Sequence, residues 1–199
     1  SIGQSKNTVT NVSTTKLFNG SEAGLTGSRW GLRGAEDLGG GLKAVFDLEN
    51  RFNVDDGTSV GGFSGNAYVG LTGGFGTVHL GRSYNAYDYT QDLSVRDSVF
   101  DSAFVADFNP GNTTRSANMV KYVSPTIAGF VAVASTGLAE GAVGGKNQNG
   151  LSVGYAAGPL AVRVGGQSAA SGNAVAVAAG YNFGVASVSG GYNQLSPVS

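Results

Sequence analysis

The sequence predicts an all-β protein, an antiparallel sheet of about ten strands, and three observations predict it. Hydropathy alternates with a period of two along most of the chain from Ser28 onward. The alternating segments are each about 8 to 11 residues long, which is the length a tilted strand needs to cross a bilayer. Tight turns alternate with longer connections, so short links gather on one rim and long ones on the other. Glycine supplies 34 of the 199 residues and proline only 4, which fits many turns and bending strands. The same balance fits neither collagen nor a proline-rich linker.

Residues 1 to 27 are rich in Ser, Thr, Asn and Gly and read as a long exposed loop, with short pairings at Thr8-Val9-Thr10 and Lys16-Leu17-Phe18. The first strong hairpin flanks Gly39-Gly40-Gly41. Before that turn Trp30 and Leu32 share one face, and Arg29, Arg33 and Asp37 share the other. After it Leu42, Ala44, Phe46 and Leu48 oppose Lys43, Asp47, Glu49 and Arg51. A loop from Val54 to Phe63 carries Asp55-Asp56-Gly57. The next pair runs from Asn66 to Thr72 and from Thr77 to Arg82, joined by Gly73-Gly74-Phe75-Gly76. Alternation then fails from Ser83 to Thr113, and an unpatterned insertion of that length in a compact domain is commonly functional. It resumes from Arg115 to Val123, turns at Ser124-Pro125-Thr126, and continues from Gly129 to Thr136. After a loop from Gly137 to Asn149, two hairpins close the chain. Leu151 to Ala157 and Leu160 to Gln167 turn at Gly158-Pro159, and Ala174 to Asn182 and Val185 to Asn193 turn at Phe183-Gly184.

This alternation has two physical readings. In a soluble sandwich the apolar face is core and the charged face is outer surface. In an outer-membrane barrel the apolar face meets lipid and the charged face lines a watery lumen. The charged set is Arg29, Arg33, Lys43, Asp47, Glu49, Arg51, Arg115, Lys121 and Arg163. Burying so many charges in a filled interior costs several kcal/mol each unless they are paired. A water-filled lumen removes that cost, and a sandwich gives no reason for the parity of short and long connections. Aromatic residues near strand ends (Trp30, Phe52, Tyr122, Tyr155, Tyr181, Phe183 and Tyr192) fit interfacial girdles.

Composition narrows the chemistry. A net charge of −1 gives no case for nucleic-acid binding. With no cysteine, thiol nucleophiles and cysteine-based zinc sites are excluded. His79 is the only histidine, which rules out a histidine-rich metal site, and nothing near it forms a nucleophile motif. Gly144-Gly145-Lys146-Asn147 lacks the hydroxyl that a phosphate loop places after lysine. Asp55-Asp56-Gly57 reads as a solvated turn, with calcium binding the alternative. No catalytic residue, metal or cofactor is predicted.

The segment from Ser28-Arg29-Trp30-Gly31-Leu32-Arg33-Gly34 through Glu36-Asp37-Leu38-Gly39-Gly40-Gly41-Leu42-Lys43-Ala44 resembles the second hairpin of the trimeric general diffusion porins of Gram-negative outer membranes, those of betaproteobacteria above all. Ala67-Tyr68-Val69-Gly70-Leu71-Thr72-Gly73 with Phe75-Gly76-Thr77-Val78-His79-Leu80-Gly81-Arg82 resembles the strand pair before that family's third loop. Arg115-Ser116-Ala117-Asn118-Met119-Val120-Lys121-Tyr122-Val123-Ser124-Pro125 resembles the strand after it, and Tyr181-Asn182-Phe183-Gly184-Val185-Ala186 is a weaker match.

The resemblance implies a 16-stranded trimeric barrel in the outer membrane, lodged in lipid and passing ions and small hydrophilic solutes by passive diffusion. It implies that the whole chain, 1 to 199, belongs to one such barrel and that 83 to 113 is a constriction loop folded into the lumen. By motif position Arg29, Arg82 and Arg115 match the family's arginine cluster, and Arg33 is a fourth member. Their acidic partners are expected among Asp88, Asp92, Asp97, Asp101 and Asp107. Opposed charges across a narrow aqueous slot create a transverse field that orients dipolar solutes and filters ions.

Some features depart from the family pattern. A 16-stranded barrel takes roughly 300 residues or more, so the expectation is a portion of a longer porin. Ser64-Gly65-Asn66 stands where many relatives carry a lumen-facing basic residue. Arg82 shares the parity of Val78 and Leu80 and faces inward only if the chain bends near Gly81. The competing reading is a non-conducting β-barrel or β-sandwich that serves as an adhesin or structural surface protein.

Overall fold

The computed structural model describes residues 2–6, 9, 11, 13–17, 27–59, 61–91, 115–140 and 145–197. Two short strands, β1 (Ile2–Lys6) and β2 (Ser13–Leu17), pair antiparallel in a sheet of their own, from Ile2 opposite Leu17 to Lys6 opposite Ser13. The long exposed loop expected there is therefore partly a hairpin. The threonines of β2 favour extended backbone, but so few apolar residues flank them that alternation gives little signal. Thr8, Thr10 and Phe18 lie outside the described residues.

Ten strands form the main sheet. They are β3 (Arg29–Gly39), β4 (Leu42–Arg51), β5 (Ala67–Gly73), β6 (Gly76–Tyr84), β7 (Arg115–Val123), β8 (Phe130–Gly137), β9 (Gln148–Ala157), β10 (Leu160–Ala169), β11 (Gly172–Asn182) and β12 (Ser187–Pro197). Each hydrogen-bonds to its sequence neighbours, giving the order β12-β11-β10-β9-β8-β7-β6-β5-β4-β3, with every pairing antiparallel. One helical turn, α1 (Asp88–Gln91), follows β6. Among the described residues no helix is long and apolar enough to cross a membrane, which leaves any crossing to the strands.

The side-chain faces distinguish the two readings. Large apolar residues are exposed along the sheet: Leu32 is 57% exposed, Val69 59%, Leu151 58% and Val164 54%. The buried residues on the opposite face are mostly small or polar, including Asp47, Ser83, Ser116, Ser135, Ser152 and Gln167. A soluble sandwich would show the reverse. The sheet is thus greasy outside and polar within, as a membrane barrel wall is.

Aromatic rings mark both ends of the apolar band. Phe130 stacks on Tyr155 with centroids 4.7 Å apart, and Tyr181 on Phe183 at 4.6 Å, both beside tight turns. Trp30 meets Phe63 edge-on at 6.2 Å on the side of the longer loops. Rings at these heights sit where hydrocarbon gives way to headgroups.

Connection lengths follow the expected parity with one exception. The sequence pattern ends one strand at Gln167 and starts the next at Ala174. In the structure the ladder continues to Ala169 opposite Gly172, leaving only Ala170 and Ser171 in the turn. Ser, Ala and Gly fill this stretch, and small residues carry no face signal for alternation to reveal.

Placing a cation on the outer face tests this orientation. Val69→Arg is expected to destabilise the protein folded in lipid vesicles by about 2–4 kcal/mol, the cost of arginine near the bilayer midplane. Denaturant titration in vesicles measures it, and an unchanged midpoint contradicts the assignment.

Candidate functional site

The inner faces of β3 and β4 bring like charges together. Register sets Arg29 opposite Arg51, Gly31 opposite Glu49 and Arg33 opposite Asp47. Two arginines side by side repel each other unless a carboxylate intervenes. Glu49 fills that role: its Oε1 lies 3.0 Å from Arg51 Nε and its Oε2 3.4 Å from Arg29 Nη1. Arg115 reaches the same carboxylate from β7, with Nη2 3.9 Å from Oε1.

Arg115 is fixed on other sides as well. Its Nε donates to Asn66 Oδ1 at 3.3 Å, and its guanidinium lies 3.7 Å over the Tyr84 ring. Asn66 turns its amide the other way, donating from Nδ2 to Asp47 Oδ2 at 3.0 Å. That oxygen also accepts from Arg33 Nη2 at 3.0 Å. The result is one continuous network, from Arg33 through Asp47, Asn66 and Arg115 to Glu49 with Arg29 and Arg51. Among the described residues four guanidinium groups share two carboxylates, a net positive set.

Gly65 lets the network close. It is buried, its N–H donates to the Glu49 carbonyl at 3.0 Å, and a Cβ there would collide with the Glu49 carboxylate. The Ser64-Gly65-Asn66 departure from the family pattern therefore provides an uncharged bridge in place of a further cation.

Of the predicted basic residues, Arg29, Arg33 and Arg115 join the network. Arg82 sits at its margin. The irregularity anticipated near Gly81 is present: Gly81 has φ +130°, and the ladder with β7 shifts register between Gly81 and Ser83. Arg82 pairs with Ala67, and its Nε donates to the Ser64 carbonyl at 3.2 Å. Among the described residues it forms no ion pair with Asp47 or Glu49.

On the acidic side, Asp88 is buried at the start of α1, where its N–H donates to Asn85 Oδ1 at 2.9 Å. It lies within electrostatic range of Lys121 and Arg115. Asp92, Asp97, Asp101 and Asp107 lie outside the described residues.

Glu49, Arg51, Asn66 and Tyr84 complete the network without having been singled out for it. For Glu49 and Arg51 the signal was present, since they share the inward parity of Asp47. For Asn66 and Tyr84 it was not, because diagonal contacts across several strands are not encoded in spacing.

The residues after β6 do not stay at the rim. Ala86, Tyr87, Asp88 and Thr90 are all buried, and α1 packs on β9, β10 and β11. In the loop between β4 and β5, Asp56 Oδ1 accepts from the Thr58 N–H at 2.8 Å and its hydroxyl at 2.7 Å. The hydroxyl bond, more than the backbone one, holds the Asp56 carboxyl below its ordinary pKa. This carboxylate closes a turn. Among the described residues no three His, Cys, Asp or Glu side chains gather as a metal site.

Comparison with known proteins agrees with this architecture. Residues 2–197 match the family model of the Gram-negative porins. The chain is 34% identical over 193 residues to outer membrane porin protein 32 of Delftia acidovorans, covering 84% of this chain and 54% of that protein. It is 38% identical over 124 residues to the major outer membrane protein P.IB of Neisseria gonorrhoeae, covering 58% of this chain and 33% of the other. In structure it superposes on the anion-selective porin from Comamonas acidovorans with a TM-score of 0.67 and 27% identity, over 92% of this chain and 60% of that one. The trimer form of OmpT from Vibrio cholerae gives a TM-score of 0.65 at 19% identity over 84% and 57%, a likeness of fold alone. The chain belongs to the Gram-negative porin family, and its place is the outer membrane. It spans about half the length of the Delftia protein and a third of the neisserial one.

The network ranks its members energetically. Glu49→Gln leaves Arg115, whose side chain is only 10% exposed, without its carboxylate and should cost about 1–3 kcal/mol. Arg33→Ala removes an exposed side chain from one carboxylate, Asp47, which keeps its hydrogen bond from Asn66, and should cost less than Glu49→Gln, which takes the shared carboxylate from three arginines. Denaturant unfolding of both variants checks the order, and a larger loss for Arg33→Ala contradicts Glu49 as the hub.

Proposed function

We propose that the protein forms a closed, water-filled barrel through which ions and small hydrophilic solutes diffuse passively, and that it acts as a channel rather than an enzyme. Residues 83–113 form its constriction loop. Arg29, Arg33 and Arg115, with Arg51 beside them and Arg82 at the margin, form the basic side of the slot. Asp88, Asp92, Asp97, Asp101 and Asp107 are the candidates for its acidic side.

One observation carries this reading: the face opposite the exposed Leu32, Val69, Leu151 and Val164 gathers Arg29, Arg33, Arg51 and Arg115 with Asp47 and Glu49, Arg33 among them. A packed interior would leave that guanidinium desolvated at a cost of several kcal/mol, and water in the lumen spares it. The free edges of the sheet support closure. Among the described residues β3 and β12 each leave one row of backbone groups unpaired, which hydrocarbon cannot satisfy and pairing with further strands would. The net positive patch supports a preference for anions, in line with the description of the Comamonas neighbour as anion-selective. A homotrimer is the assembly we favour, as in the trimer form of OmpT.

Planar bilayers test the function. The full-length protein is expected to insert in discrete conductance steps. Arg29→Ala combined with Arg115→Ala should lower the ratio of anion to cation permeability. Insertion without conductance contradicts the channel, and an unchanged reversal potential in the double variant contradicts the assigned arginines.

A further inference from the structure

Two inward cations, Lys121 and Arg163, stand outside the Glu49 network. Each donates to a backbone carbonyl, Lys121 at the last residue of β6 and Arg163 in the segment that leaves it. Lys121 Nζ donates to the Tyr84 carbonyl at 3.0 Å. Arg163 Nη1 donates to the Tyr89 carbonyl at 2.8 Å, and its guanidinium lies 4.0 Å over the Tyr89 ring. Between these points the Ala86 N–H donates to Ser135 Oγ at 2.9 Å.

The wall is shaped for this contact. The register partners of Arg163 are Gly154 on β9 and Ala178 on β11, both small. A Cβ on Gly154 would lie 3.2 Å from Tyr89 Cε1, closer than a well-packed side chain sits. Thr90 is fully buried against Gly165, where a Cβ would collide with its hydroxyl.

Polar complementarity does not hold the segment beneath that point. Among the described residues, Thr90 Oγ1, Ser152 Oγ and both side-chain polar atoms of Gln167 are buried without a hydrogen-bond partner. Such groups weaken a seat. The charge-assisted bonds at its two ends add to the hold.

We propose that Lys121, at the last residue of β6, and Arg163, at Tyr89, clamp the start of the 83–113 segment at two points, with Arg163 the positioning residue that keeps residues 86–90 on the β9–β10 wall. Their charges serve backbone carbonyls and are not offered to passing ions. This division of labour sets them apart from Arg29 and Arg115, and its effect on conduction rests on the channel reading above.

Three variants of the full-length protein test it: Arg163→Ala, Arg163→Lys and Gly154→Val, the last crowding both Tyr89 and the Arg163 stem while retaining the Arg163 charge. Losing a charge-assisted bond should raise the unseated population about tenfold or more. Amide hydrogen exchange in detergent should therefore speed up about tenfold at residues 86–91 in Arg163→Ala and in Gly154→Val. Arg163→Lys, which keeps a donor but not the planar stack, should fall between them and wild type. In bilayers the first two variants should spend more open time in substates while keeping the wild-type reversal potential. Wild-type exchange in both Arg163→Ala and Gly154→Val overturns the clamp. So does a reversal-potential shift in Arg163→Ala as large as that of Arg115→Ala. Exchange is measured without conduction, so a protein that forms no channel contradicts the proposed function while exchange still decides the clamp.

Discussion

In the hydrocarbon core of a bilayer an unpaired peptide group has nothing to bond to. A spanning sheet must therefore satisfy its backbone from strand to strand and turn apolar side chains outward. That requirement disposes of one face of every strand in the main sheet. Leu32, Val69, Leu151 and Val164 are exposed because lipid, not protein, is their partner. It also frees the inner face from any duty to form a core, so arginines and carboxylates can collect there at little cost in water. The charged network around Glu49 is a consequence of the outward grease.

The inner face divides its work between two regions. On β3 and β4, Arg33 meets Asp47 across a register pair, Glu49 bridges the facing Arg29 and Arg51, and Asn66 links the Asp47 end to the Glu49 end. On β8 to β10 several inward positions around Arg163 are small: Ser135, Ser152, Gly154 and Gly165. Small side chains there leave room for Ala86 to Thr90 to lie against the wall. A loop that left β6 and met bulky residues would be held off it. Electrostatics thus shapes one side of the inner surface and steric accommodation the other.

Much of this was legible in the chain. Period-two alternation fixes which residues share a face, so the outward apolar set and the inward charged set could be read directly. Glycine-rich turns located most hairpins. The tight turn at Ala170 and Ser171 escaped because serine and alanine mark neither face, and β1–β2 because it has almost no apolar residues to alternate. The site was legible only in part. Parity put Arg29, Arg33 and Arg115 inside, yet could not show that Arg29 and Arg115 converge on Glu49 while Arg33 pairs with Asp47, or that Arg82 bonds to Ser64 at the margin. Contacts such as Arg163 with Tyr89 join residues 74 apart in sequence, and only the folded ladder brings them together.

The orientation of the faces is what most needs direct measurement. Spin labels placed singly at each position from Leu160 to Ser168 of β10, in the protein reconstituted in lipid, report contact with hydrocarbon through collision with oxygen and contact with water through collision with a polar nickel chelate. Oxygen accessibility should peak at 160, 162, 164, 166 and 168, with chelate accessibility or burial at the positions between. The opposite phase, or no period of two, would contradict the account.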